Sequence, residues 1–334
     1  MISANRIKHV IISFSTDGIN LNLQNTGEHS LMLHNTVRSI GSTADSLSLD
    51  EPADRSRATE HQATNLRYIR PPKGWTPIDF GELFHYRELL YFLVWRDFKV
   101  RYKQTVLGIA WALLQPVFSM VVFTVIFGKL AGLSSEGYPY SIYVYAGLLP
   151  WTFFSSGVNL GGLSLVNQQH LLTKVYFPRL FVPTAAVGIG LLDMLIAGML
   201  YVALMAWFHQ PLTISILALP AMVALLVAAT LGLSYLLAAL TVSYRDFRFV
   251  VPFMMQAMMY ISPVVYPISI IPKNYQWLAA LNPMAGIIDG FRCALLGKPW
   301  DLTTLAVSCG STLVLLVTGM LYFRRTEQYF ADIA

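Results

Sequence analysis

Charge is what this sequence has least of. Only 12% of its 334 residues are Asp, Glu, Lys or Arg, where a soluble domain carries about 25%. With 55% hydrophobic residues and a mean hydropathy of +0.53, the deficit argues against a soluble domain and for an integral membrane protein. Cysteine is nearly absent. Cys293 and Cys309 are the only two and sit at no CxxC or metal-ligand spacing, so both read as small packing residues. There is no GxxxxGK[ST] run, only the fragments "GKL" and "GKP", which excludes ATP hydrolysis by this chain through a P-loop. HExxH, GxSxG and a plausible acidic pair are missing too, and an enzyme assignment has no residues to rest on. The net charge of +5 marks cytoplasmic loops and lipid headgroup contacts in such a chain, not nucleic acid. A cleavable signal is not visible: the apolar run from Val10 to Phe14 is shorter than an h-region and no small-residue cleavage site follows it.

What is present falls into three parts. Residues 1–75 are polar and rich in Ser, Thr and Asn, which cannot bury enough apolar surface to offset chain entropy; a largely disordered cytoplasmic extension is expected. Residues 76–104 hold an amphipathic helix, delayed to about Asp79 by the prolines and Gly74 of "RPPKGWTPIDF". Residues 105–334 hold six apolar segments of spanning length, at about 105–128, 140–166, 180–207, 214–242, 249–266 and 303–323. Six spans put both termini on one side. Ten basic residues flank that side (Arg96, Lys99, Arg101, Lys103, Lys174, Arg179, Arg245, Arg248, Arg324, Arg325) against four on the other (Lys129, Lys273, Arg292, Lys298). The positive-inside rule then makes both termini cytoplasmic.

The stretch "LVWRDFKVRYKQTVLGIAWALLQP", Leu93 to Pro116, joins a basic half directly to an apolar one. As a helix, its first part places Tyr91, Trp95, Phe98 and Tyr102 on one face and Arg96, Lys99 and Lys103 on another. That pattern predicts a helix lying along the membrane interface, with Trp95 and Phe98 buried and the basic residues toward the cytosol. "NQQHLLTKVYFPRLFVPT", Asn167 to Thr184, is apolar for a solvated loop and is expected to pack on something. In "TVSYRDFRFVVP", Arg245 and Arg248 flank Asp246 in a tight cytoplasmic turn. The external segment from Pro267 to Trp300 should form two short helices, Lys273–Leu281 and Met284–Leu296, started by Pro272 and Pro283. Both are too short to cross, and should lie in the interface or re-enter the membrane. Asp289 and Arg292, at i and i+3, could pair there.

Asp193 is the one ionisable group deep in a span. It reads either as a hydrogen-bonded structural or channel-lining residue or as part of a coupling device, and no partner at similar depth is visible. Trp151, Phe153 and Phe154 lie below an aromatic belt; they fit either that belt or contacts to sugar rings.

"LVWRDFKVRYKQTVLGIAWALLQP", "GLLPWTFFSSGVN", "LLTKVYFPR", "YRDFRFVVPFMMQAMMYISPVVYP" and "LNPMAGIIDGFR", in that order, resemble the motifs of ABC-2 type permease subunits that export O-antigen, capsular polysaccharide and teichoic acid. The likeness runs from about Phe80 to the C-terminus; the N-terminal extension departs from that compact family pattern. The resemblance implies an all-α integral membrane protein: six transmembrane helices, an N-terminal interface helix and two external gate helices. It implies a homodimer in the inner membrane, working with two P-loop ATPase subunits and a lipid-linked glycan. ATP and Mg would bind the partner, and no cofactor this chain. The ATPase contacts would be Arg96, Asp97, Lys99, Arg101 and Lys103 on the interface helix; His170, Lys174, Tyr176 and Arg179 in a coupling helix; and Tyr244, Arg245 and Asp246. Channel or gate residues would come from Trp111, Gln115, Trp151, Phe153, Phe154, Asp193, Tyr260, Tyr266, Trp277, Asp289 and Arg292. Competing readings are an ABC-2 exporter of a small drug or lipid, a proton-coupled flippase using Asp193, and a membrane glycosyltransferase or acyltransferase, against which the missing motifs argue.

Overall fold

The computed structural model describes residues 14–15, 18–19, 81, 86–103, 110–169, 177–211 and 213–327. Most of the N-terminal extension, the seam at Gln104–Thr105, and His170, Lys174 and Tyr176 lie outside the described residues. The chain divides into two units, Met1–Pro71 and Pro72–Ala334. In the first, β1 (Phe14–Ser15) and β2 (Gly18–Ile19) pair antiparallel.

The second unit is helical throughout its described residues. Its elements are α1 (Arg87–Lys103), α2 (Ala110–Phe123, running on as a π-helix, Thr124–Leu130), α3 (Tyr140–Asn167), α4 (Phe181–Trp207), α5 (Leu219–Ser243, preceded by a 3-10 turn, Ile214–Ala218), α6 (Phe247–Ile261), α7 (Lys273–Leu281), α8 (Pro283–Leu296) and α9 (Leu302–Glu327). Four of the helical segments are long and apolar enough to cross a membrane: Ala110–Leu130, Phe181–Trp207, Ile214–Ser243 and Leu302–Glu327. Between 11% and 28% of each apolar stretch is buried inside the chain. So much outward-facing apolar surface suits lipid or a second membrane-embedded surface, and would be unstable in water.

Two helices fall short of that test for opposite reasons. At 28 residues α3 is about 42 Å long, enough to cross. It carries many polar and small residues because it is the central helix, packed on α4, α5 and α8 and buried along most of its length. A helix surrounded by protein needs close approach more than lipid solubility. Gly157 and Gly161 meet Thr230 and Ser234 of α5, as small residues do at membrane helix interfaces. By contrast α6 is apolar but only 15 residues, about 22 Å. After it the chain leaves helical geometry at Ser262 and turns back through residues 262–271.

The two short helices form where the prolines predict. Pro272 precedes α7, and Pro283 opens α8, whose first turn is capped by the Asn282 side chain accepting from the Met284 amide at 3.1 Å. Gly297, in the left-handed region at φ 75°, ends α8. Nearly every residue of α8 is buried, against α3, α5 and α9. Helix α8 is thus wedged into the bundle.

Candidate functional site

Two constellations join elements far apart in sequence. The first surrounds α1. Its buried face is aliphatic: Tyr86, Leu89, Leu90, Leu93 and Val94 pack with Phe177, Leu180, Phe181, Val182 and Ala185. They recur at i, i+3, i+4, i+7 and i+8, a single helical stripe. Tyr91 and Trp95 of the aromatic face turn away from that core. Tyr91 is 71% exposed and Trp95 43%, and Lys99 lies 5.2 Å over the Trp95 ring. Trp95 and Lys99 thus adjoin on one outward face, while the leucine stripe binds α1 to the protein. A shallow groove of about 360 Å³ runs along that outward face between Phe92, Trp95, Arg96, Lys99 and Lys103.

At the polar edge of α1, Arg96 donates to Asp97 at 2.7 Å and to Gln168 at 3.1 Å, and Gln168 donates back to Asp97 at 3.3 Å. The triad ties α1 to the end of α3, where the loop at 168–179 begins. That loop's far end is fixed as well, because Arg179 donates to the Glu327 carbonyl at 2.7 Å and Phe177 is buried beside Leu93. Tyr244, Arg245 and Asp246 are exposed at the turn from α5 to α6.

Asp193 does have a partner. Arg101 lies 3.0 Å from its carboxylate, and the Tyr102 hydroxyl donates to its other oxygen. Burial and that bond push the Tyr102 phenol up to about 12. The partner is missed in sequence because it comes from a different helix; the available signal is a long Arg on the helix flank that can reach inward. The pair opens onto a cavity of about 220 Å³ lined also by Trp111, Gln115, Thr152, Phe153 and Ser156. Trp111 is 56% exposed, whereas Trp151 and Phe154 are core residues at 4% each, packed at 5.9 Å between ring centroids.

The second constellation holds α8. Arg292 is fully buried. Its guanidinium donates to the carbonyls of Val264 at 2.6 Å, Tyr266 at 3.3 Å and Tyr143 at 3.4 Å, and stacks 3.9 Å from the Tyr143 ring centroid. The expected pairing with Asp289 does not form. Asp289 is bound by Lys298 at 3.0 Å, and Lys298 also bridges to Glu136 at 2.5 Å. Burial disfavours the Lys298 charge, but the Asp289 and Glu136 carboxylates outweigh it and hold the ammonium above the ordinary lysine range. Glu136 was not among the residues singled out from sequence. Tyr260 is exposed, the Tyr266 hydroxyl donates to the Ile261 carbonyl at 2.8 Å, and Trp277 falls on α7.

A family model for ABC-2 type transporters matches residues 88–296, the stretch from α1 to the end of α8. The chain belongs to the ABC-2 type transporter family. This ABC-2 chain is 30% identical over 256 residues to the O-antigen export system permease protein RfbA of Myxococcus xanthus, covering 75% of itself and 98% of that relative. It is 25% identical over 239 residues to the polysialic acid transport protein KpsM of Escherichia coli, covering 70% and 91%. Over 194 residues it is 25% identical to the inner membrane transport permease YadH of Escherichia coli K12, covering 55% and 75%. It is a multi-pass membrane transport chain, and the matches leave its N-terminal segment unaccounted for.

Proposed function

We infer that this chain is the permease subunit of an ABC exporter that moves a lipid-linked cell-surface polysaccharide across the inner membrane, driven by a separate ATPase. The observation that carries the reading is the likeness to the O-antigen export permease over 98% of that relative's length. In the arrangement we favour, α2, α3, α4, α5, the α6 hairpin and α9 are six crossings, with both termini cytoplasmic. Two copies enclose the conduit, α7 and α8 act as gate helices at its outer mouth, and one ATPase docks under each copy. ATP binding closes the ATPase pair, and the exposed face of α1, the loop at 168–179 and the Tyr244–Asp246 turn carry that motion into the spans as rigid-body shifts.

An exporter of a small drug or lipid remains the competing reading for the same fold. A proton-coupled flippase is disfavoured, because the Asp193 carboxylate is already engaged by Arg101 and Tyr102. Deletion of the gene in its host should leave undecaprenyl-linked glycan inside the cell and strip it from the surface, and re-expression should restore the surface glycan. Normal surface glycan in the deletion strain would refute the assignment.

A further inference from the structure

We propose that α1 and α4 move as one rigid body, and that Asp193 is the positioning residue that latches the far end of α1 onto α4. The proposal rests on the ATPase-driven reading above and names the span that first receives the motion.

A helix lying flat in the interface would cross an upright span at a single point. Here the contacts advance along both helices. Leu93 and Val94 meet α4 over Phe181 to Gly188, and Arg101 and Tyr102 meet it at Asp193. From Val94 to Tyr102, α1 rises about 12 Å, while the contact points on α4, from Gly188 to Asp193, rise about 7.5 Å. The two helices therefore touch over several turns of each, and not at one point. At the first contact a Cβ on Gly188 would lie 2.9 Å from the Val94 Cγ2, so the glycine is what permits the approach. At the second, the one acid within α4 accepts from two residues of α1 at once. Among the described residues the main packing partner of α1 is α4; α2, the next helix in the chain, is not. Two contacts at opposite ends of a shared stripe fix both distance and rotation, which one contact could not.

The placement also accounts for an acid inside a span. A carboxylate there disfavours insertion. The Arg101 guanidinium neutralises it and the Tyr102 hydroxyl fills a second acceptor site.

A disulfide tests the rigid body. A Cβ at Gly188 would lie 4.0 Å from the Val94 Cβ, within the range a disulfide spans. The double variant Val94→Cys with Gly188→Cys, in a Cys309→Ser background, is assembled with the ATPase and assayed oxidised and reduced. If α1 and α4 move together, export by the oxidised complex stays within about twofold of the reduced one. Loss of export on oxidation, restored by reductant, would overturn the proposal and leave the exporter reading standing. A wild-type complex that exports nothing would instead overturn that reading. Independently, Asp193→Asn should raise the ATP hydrolysed per glycan exported about tenfold, and the swap Arg101→Glu with Asp193→Arg should bring the ratio back. A purely structural role lowers complex yield, ATP turnover and export together with the ratio constant; that result would overturn the latch.

Discussion

Arg292 shows how much a single side chain organises around α8. Its planar fork reaches three carbonyls on two separated segments, α3 and the turn at 262–267. Each charge-assisted bond contributes about 1.5–3 kcal/mol, and the desolvated contact with Tyr143 about 2 kcal/mol. A lysine is a point donor that cannot span these acceptors. Arg292→Lys should therefore destabilise the detergent-solubilised protein by about 2–4 kcal/mol, read as a lower melting temperature; an unchanged transition would contradict the clamp. Gly147 makes room for it, since a Cβ there would meet the Val264 carbonyl at 2.7 Å and Arg292 at 2.9 Å. Gly147→Ala should thus mimic the arginine variant. Asp301 is simpler: its carboxylate accepts from the Thr303 and Thr304 amides and the Thr304 hydroxyl, capping α9. Those bonds, the hydroxyl's foremost, hold its pKa below the ordinary carboxylate value. Its stabilising contribution is complete above about pH 4 and fades as pH falls through the lowered value. Asp301→Ala should cost about 1 kcal/mol at neutral pH, measured by thermal unfolding, and the difference from wild type should shrink in acid. A difference that grew in acid would be inconsistent with capping.

At the scale of elements, the short pair α7 and α8 was legible because its signals are local. Pro272, Pro283 and Gly297 punctuate the chain wherever it folds. What holds α8 in place was not legible. The i, i+3 rule suggested Asp289 with Arg292, but that rule describes helix surfaces. Once α8 is buried, Arg292 turns to the carbonyls of a distant segment and Lys298 takes the acid. The same limit applies to α1. Periodicity gave the helix with its aromatic and basic faces, but not the leucine stripe at 89, 90 and 93, which is apolar in sequence as the aromatic one is. Only the arrival of Phe181 and Ala185 decides which stripe is covered. The Lys298 bridge joins the loop before α3 to the residues after α8, so Lys298→Met leaves Glu136 and Asp289 close together without a cation. A loss of about 3 kcal/mol is expected, with Glu136→Gln in the same chain recovering part of it. Equal instability of the single and double variants would contradict the bridge. The contribution of Lys298 should persist below about pH 10 and disappear only as pH climbs through its raised value.

For the whole molecule, the scarcity of charge was enough to place the chain in a membrane, and apolar length picked out four segments able to cross it. Two segments resisted that measure for physical reasons: α3 is shielded by protein and can be polar, and the α6 hairpin divides its apolar run between a short helix and a turn. Which residues of α1 face outward depended on packing: Arg101 pairs with Asp193 while staying partly exposed, and Lys99 stays on the outer face. The central claim is that this chain moves a lipid-linked glycan only when a separate ATPase drives it. The direct measurement is protection of labelled lipid-linked glycan from an added glycosidase in inverted membrane vesicles containing this chain, with and without the ATPase. The account predicts protection that requires both the ATPase and hydrolysable ATP and is indifferent to a proton gradient. Protection by this chain alone under a proton gradient, abolished by Asp193→Asn, would contradict it.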